Sequence, residues 1–114
     1  MSTASVAGQP ESDHDEIDVR ALTQFLTVLD SVGRARGAGD LYLVVSESGS
    51  EYLVDIREGA CECPDHEYRG RRCKHIRRVE FATGRRPVPA GIDAGDIDDQ
   101  LGLHVTGAPA FADQ

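Results

Sequence analysis

Lysine, aromatic residues and long apolar runs are what this chain has least of. Its 114 residues include no Trp, three Tyr, three Phe and a lone lysine, Lys74. With 39% apolar residues, a chain this short has thin material for a core and is marginal without a staple. The longest apolar run is Leu41-Tyr42-Leu43-Val44-Val45, far short of the roughly 20 residues of a membrane helix. The first 18 residues hold neither Lys nor Arg and no apolar stretch, so no secretory leader is expected and the cytoplasm is the expected compartment. A Gly-rich phosphate loop, a GxSxG elbow and an HExxH pair are all missing, and the expectation is a protein that is not an enzyme and takes no small-molecule substrate.

Charge is plentiful but uneven. Twenty acids against twelve bases give a formal −8. Residues 1–18 carry Glu11, Asp13, Asp15, Glu16 and Asp18 without a base, and residues 87–114 carry Asp93, Asp96, Asp98, Asp99 and Asp113 without a base. The stretch RGRRCKHIRR at 69–78 is the reverse, with bases and no acid. Acidic ends therefore flank a basic middle. Acid paired with Arg and hardly any Lys suits a protein working in molar salt, and a halophilic setting is expected. An ordinary acidic protein with acidic tails is the plainer alternative.

The pattern predicts an α+β fold: a small β-hairpin plus helix, with an additional N-terminal helix and disordered acidic tails. Residues 1–17 read as an acidic arm too polar to order itself. Asp18 suits an N-cap, and Val19, Leu22, Phe25, Leu26 and Leu29 recur at helical spacing, which predicts a helix from Val19 to Leu26. Residues 27–36 fit helix or strand equally. LYLVVS (41–46) and EYLVDIR (51–57) read as strands joined at Ser48-Gly49-Ser50. KHIRRVEFAT (74–83) reads as a helix with Ile76, Val79 and Ala82 or Phe81 inward and Arg77, Arg78 and Glu80 outward; Gly84 suits its end. The folded unit is expected over 18–86, and 87–114 as an acidic, mostly flexible tail.

Chemistry concentrates at Cys61, Cys63, Cys73 and His75, which form C-x-C-x9-C-x-H. Three thiolates and an imidazole complete a tetrahedral shell for Zn²⁺ and leave no position for water, which points to a structural ion. Residues two apart on a flat strand cannot easily share one ion, so the chain must bend at Cys61–Cys63, between Gly59 and Pro64. Residues two apart in a helix point apart, so Cys73 belongs at or before a helix start and His75 in its first turn. A Cys61–Cys63 disulfide, a redox dithiol and an iron–sulfur centre are the competing readings. They fit less well, because of ring size, the C-x-x-C spacing and ligand order respectively.

These half-motifs, with Tyr52-Leu53-Val54, Cys63-Pro64-Asp65 and Cys73-Lys74-His75-Ile76, resemble the SWIM zinc finger over about residues 41–83. The resemblance implies a hairpin and helix clasped by one Zn²⁺ on Cys61, Cys63, Cys73 and His75. It also implies binding of DNA or proteins. The chain is similar to small stand-alone SWIM proteins of salt-loving microbes, whose role the motif does not define.

Arg69, Arg71, Arg72, Lys74, Arg77 and Arg78 bracket the second half-site and are the candidate contacts for nucleic acid or a protein partner. They equally suit neutralisation of the anionic metal centre and nearby acids. Six phosphate contacts would lose roughly 5 decades of affinity per tenfold rise in salt, so the favoured expectation is a protein-interaction adaptor or regulator, with DNA binding as the alternative. No membrane partner is expected. His66 reads as a surface residue or an outer hydrogen-bonding partner of the site, His14 and His104 as solvated, Tyr68 as packing on the finger, and Asp98-Asp99 as non-catalytic.

Overall fold

The runs rich in β-branched and aromatic residues form a sheet, and a helix crosses one of its faces. The computed structural model describes residues 16–69 and 72–112, Arg69 by its backbone alone. In chain order the elements are helix α1 (16–23), strand β1 (Leu26–Leu29), strand β2 (Leu41–Ser46), strand β3 (Glu51–Asp55), strand β4 (Ala60–Cys61), helix α2 (Pro64–Arg69) and helix α3 (Lys74–Ala82). The strands lie in sequence order and pair antiparallel throughout. Leu43 stands opposite both Leu29 and Leu53, and Val54 stands opposite Tyr42 and Cys61.

Alternation along the strands places Leu26, Val28, Tyr42, Val44, Val54 and Cys61 on one face, where they pack with Ile76, Val79 and Ala82 of α3. Phe81 of the same helix joins Ala21, Leu22 and Val88 in a second cluster. Helix α3 therefore lies between two apolar groups, which is why most of its side chains are buried. The hairpin, the C-terminal helix and an N-terminal helix are as the sequence predicts.

Several expectations need correction. The N-terminal helix runs over 16–23 and stops before Leu26, which opens β1. Val19 and Phe25 are 41% and 47% exposed, while Ile17, Ala21 and Leu22 point inward. Leu22 and Leu26 are buried whether the chain is read as helix or strand, so periodicity could not locate the break. Asp18 lies within the helix, where its carboxylate meets Arg77 and Arg86, each at 3.2 Å. The acidic arm 1–17 lies outside the described residues except for Glu16 and Ile17, which are helical, and Ile17 is buried.

The segment after residue 86 is the largest difference. It reads as a loose tail, yet it folds back on the helices. Val88 is buried and exchanges backbone hydrogen bonds with Ala110 and Ala112 at 2.8 and 2.9 Å, while Ile92, Ile97 and Leu101 cover the second cluster. Gly84 is needed for this return: its φ is +82°, and a Cβ there would sit 2.6 Å from the carbonyl oxygen of Ala108. The packed unit therefore runs well past residue 86.

Candidate metal centre

Two short segments deliver the four ligands. The first is a tight reversal from β3 into β4. Gly59 adopts φ +67°, and a Cβ there would meet the Arg72 guanidinium at 3.3 Å. Beyond β4 the chain turns at Cys63 and enters α2 at Pro64. Proline at the first helical position, with Asp65 and Glu67 in the first turn, is a strong helix-start signal. That signal was present in the sequence, although α2 was not anticipated there. The second segment is the start of α3, where Cys73 is the N-cap in an extended conformation and His75 sits in the first turn, as the C-x-H spacing requires.

The geometry meets the demands of zinc. Sγ of Cys61, Cys63 and Cys73 and a ring nitrogen of His75 all lie within 4.8 Å of one another, and all four residues are buried. His75 Nδ1 is 3.8 Å from Cys61 Sγ and 3.7 Å from Cys73 Sγ. A tetrahedron with Zn–S of about 2.3 Å and Zn–N of about 2.0–2.1 Å has edges of about 3.6–3.8 Å, which the two distances from Nδ1 match, and the whole set is close enough to close on one ion. Nδ1 faces the sulfurs, which leaves the Nε2 side of the ring away from the ion. The Tyr52 ring packs on the imidazole with centroids 4.5 Å apart and holds it in place. The sequence offered Tyr52 only as part of the Tyr52-Leu53-Val54 strand and gave it no role at the site.

Among the described residues, peptide N–H groups donate to the sulfurs. Cys63 N–H donates to Cys61 Sγ at 3.5 Å, and His66 N–H donates to Cys63 Sγ at 3.4 Å. The Cys73 thiol is lowered to about 4, chiefly by a hydrogen bond from Cys61, with help from His75 and from the Ile76 N–H at the start of α3, against the opposing effect of burial. Cys61 is correspondingly pushed far up by its bond to Cys73 and by burial, and Cys63 is raised mainly by burial. Before a metal binds, one thiolate is thus held ready while its neighbours keep their protons, and binding displaces those protons.

Glu62, between the first two ligands, is braced from outside. Both of its oxygens accept from the Arg34 guanidinium at 2.8 Å, and one also accepts from Leu53 N–H at 3.1 Å. Arg34 and Leu53 hold that carboxyl below its ordinary range.

The proposed basic patch does not form one surface. Arg78 is fully buried and Arg77 is 8% exposed. Arg78 Nη1 donates to the carbonyls of Ala21 at 3.1 Å and Gln24 at 3.2 Å, and Nη2 donates to Leu26 O at 2.8 Å and to Asp98. Arg77 meets Asp18, Arg72 meets Glu80 at 2.8 Å, and Lys74 donates to the side chain of Gln24. The side chains of Arg69 and Arg71 lie outside the described residues. Helical spacing placed Arg77 and Arg78 outward because it could not foresee α1 and the C-terminal segment covering that side. Tyr68 is also corrected: it is 88% exposed and does not pack on the finger. His104 stands on the surface with Nε2 3.2 Å from Gln100 Oε1, far from the ligands in sequence and outside their cluster.

Comparison with known proteins agrees with this geometry. The family model described as SWIM zinc finger matches residues 51–84, the segment that carries β3, both ligand pairs and α3. No curated protein and no solved structure matches the chain. Residues 51–84 are therefore a SWIM zinc finger, whose Cys61, Cys63, Cys73 and His75 fit one structural zinc ion.

Proposed function

We propose that this chain is a protein-interaction adaptor or regulator rather than an enzyme or a DNA-binding finger, acting in a salt-rich cytoplasm. The observation that carries this reading is the burial of Arg78 and Arg77. Two of the six bases that would have held phosphates are committed to α1, β1 and the acids Asp18 and Asp98. Arg72 is paired with Glu80 as well. Phosphate contacts dominate affinity for nucleic acid, and a chain with a formal charge of −8 has few such contacts to offer. Four protein vertices around the ion leave no open coordination position for catalysis. Among the described residues no helix is long and apolar enough to cross a membrane.

The test is a titration of the zinc-loaded chain with duplex and single-stranded DNA at 0.1 M and at molar KCl, run beside affinity capture from native extract. The adaptor reading expects no DNA complex at molar KCl and recovery of a stoichiometric protein partner. A DNA complex that survives molar salt and is lost on Arg72→Ala would overturn it. Salt adaptation is checked by unfolding in graded KCl: stability should rise toward molar salt, and a flat profile would contradict that setting.

A further inference from the structure

The sheet has a second face, and its end beside the zinc site is left uncovered. Leu29, Leu41, Leu43, Val45, Leu53 and Ala60 alternate onto the side away from α3. The 3-10 turn Gly33–Ala35 covers the middle of that side: Ala35 is fully buried, Leu43 is 6% exposed, and Gly33 lies close against the Leu43 side chain. Beyond that cover, Leu41, Leu53 and Ala60 form the floor of a depression of about 230 Å³, ringed by Asp55, Glu62 and Glu67. It reaches Cys61, so its wall is built by β4, which carries Cys61, and by α2, which follows Cys63 directly.

The rim carries an excess of negative charge. Arg34 answers Glu62. Among the described residues the Asp55 side chain accepts only the backbone N–H of Glu58 at 3.1 Å, and the Glu67 side chain has no partner. Strand addition is closed off here, because Glu62 occupies both backbone groups of Leu53: its N–H donates to Leu53 O at 3.3 Å and its carboxylate accepts from Leu53 N–H. Recognition at this place must therefore work by side-chain insertion, with an apolar group on the leucines and cations at the rim.

We propose that this acid-rimmed depression is the docking site of the adaptor, and that its occupant is a polypeptide segment presenting an apolar side chain flanked by Lys or Arg. The proposal rests on the adaptor reading and names its surface. Zinc is required for docking because β4 and α2 build the wall.

The test uses the zinc-loaded full chain, amide chemical shifts and three synthetic peptides: an amphipathic Leu/Lys peptide, its Ser/Lys counterpart and its Leu/Glu counterpart. The Leu/Lys peptide should shift the amides of Leu41, Leu53 and Ala60, with the other two at least tenfold weaker. Leu53→Gln should weaken binding at least tenfold. Glu67→Lys, on the exposed side of α2, should do the same and serves where Leu53→Gln fails to fold; Leu103→Gln, a surface change elsewhere, should not. Equal binding of the Leu/Lys and Ser/Lys peptides, or no binding, overturns the proposal. Shifts confined to Phe25 and Lys74 overturn this site while leaving the adaptor reading intact. Peptide indifference together with a salt-resistant DNA complex overturns both.

Discussion

Arg78 of α3 and Asp98 of the C-terminal segment meet at 2.5 Å, with the guanidinium fully buried and the carboxylate 11% exposed. Through this contact one arginine ties four parts of the chain. Its Nη1 and Nη2 groups also donate to carbonyls at the end of α1 and at Leu26, and a helix end otherwise leaves such carbonyls without partners. Asp98 extends the tie: its carboxylate also accepts from Leu26 N–H, and its own N–H donates to Leu22 O at 2.8 Å.

Removing either partner should be costly. Arg78→Ala strands carbonyls and a carboxylate, and Asp98→Ala strands a buried cation. Each is expected to lose about 3–5 kcal/mol, the usual effect of breaking a buried pair from one side. Arg78→Lys should rescue little, since one ammonium cannot replace the two-pronged fork. Urea unfolding of the zinc-loaded chain measures this, and a loss below 1 kcal/mol for Arg78→Ala would show the pair to be incidental.

Zinc removal should have the largest effect. Structural Zn²⁺ in small fingers contributes on the order of 10–16 kcal/mol of apparent binding energy, while this core is small. Excess chelator should abolish the dispersed amide spectrum of residues 51–84, and zinc should restore it. Cys73→Ser should behave like chelation. His66→Ala should keep one equivalent of zinc, because the contact with Cys63 Sγ comes from the His66 backbone N–H. Elemental analysis separates the two variants.

The ligand set and its local geometry were legible because a metal site is written in short spacings. C-x-C demands a bend and C-x-H demands a helix start, and both demands are local. The hairpin was legible for the same reason. Arg78 was not, since its partners are the 21–26 stretch and Asp98, and nothing in its local sequence distinguishes it from the other arginines of residues 69–78. The C-terminal segment was misread on composition: Pro, Gly, Ala and Asp suggest a loose tail, yet Val88, Ile92, Ile97 and Leu101 are spaced widely enough to pack without regular structure. Strand β1 is too short for periodicity to distinguish it from the helix before it.

A side chain at Gly59 should loosen the finger without removing a ligand. The residue sits at φ +67° with Arg72 over it. Gly59→Ala faces the left-handed penalty of about 1–2 kcal/mol and also pushes on the Arg72–Glu80 pair. The midpoint of unfolding should fall while zinc stoichiometry stays at one. Gly49→Ala, also at positive φ but with open space around it, isolates the backbone share, and the difference between the two variants is the part due to Arg72.

Acid should release the ion and unfold the chain together. The Cys73 thiol sits near 4 in the folded protein, against about 8.5 for a free cysteine. A group depressed on folding stabilises the fold above its unfolded value and loses that contribution as pH falls through the folded one. The stabilisation from Cys73 is therefore complete in alkali, declines below the free-thiol value and is gone below about 4. Cys61 and Cys63 are shifted the other way, so in the metal-free chain they favour the folded form at low pH and oppose it as pH rises. Zinc reverses that by taking all three sulfurs as thiolates, and protons then compete with the ion at every ligand. A chromophoric zinc chelator and far-UV circular dichroism followed from pH 7.5 to 3.5 should report one coincident transition. Full zinc retention at pH 4, or unfolding that precedes zinc release, would show that the centre does not hold the finger together.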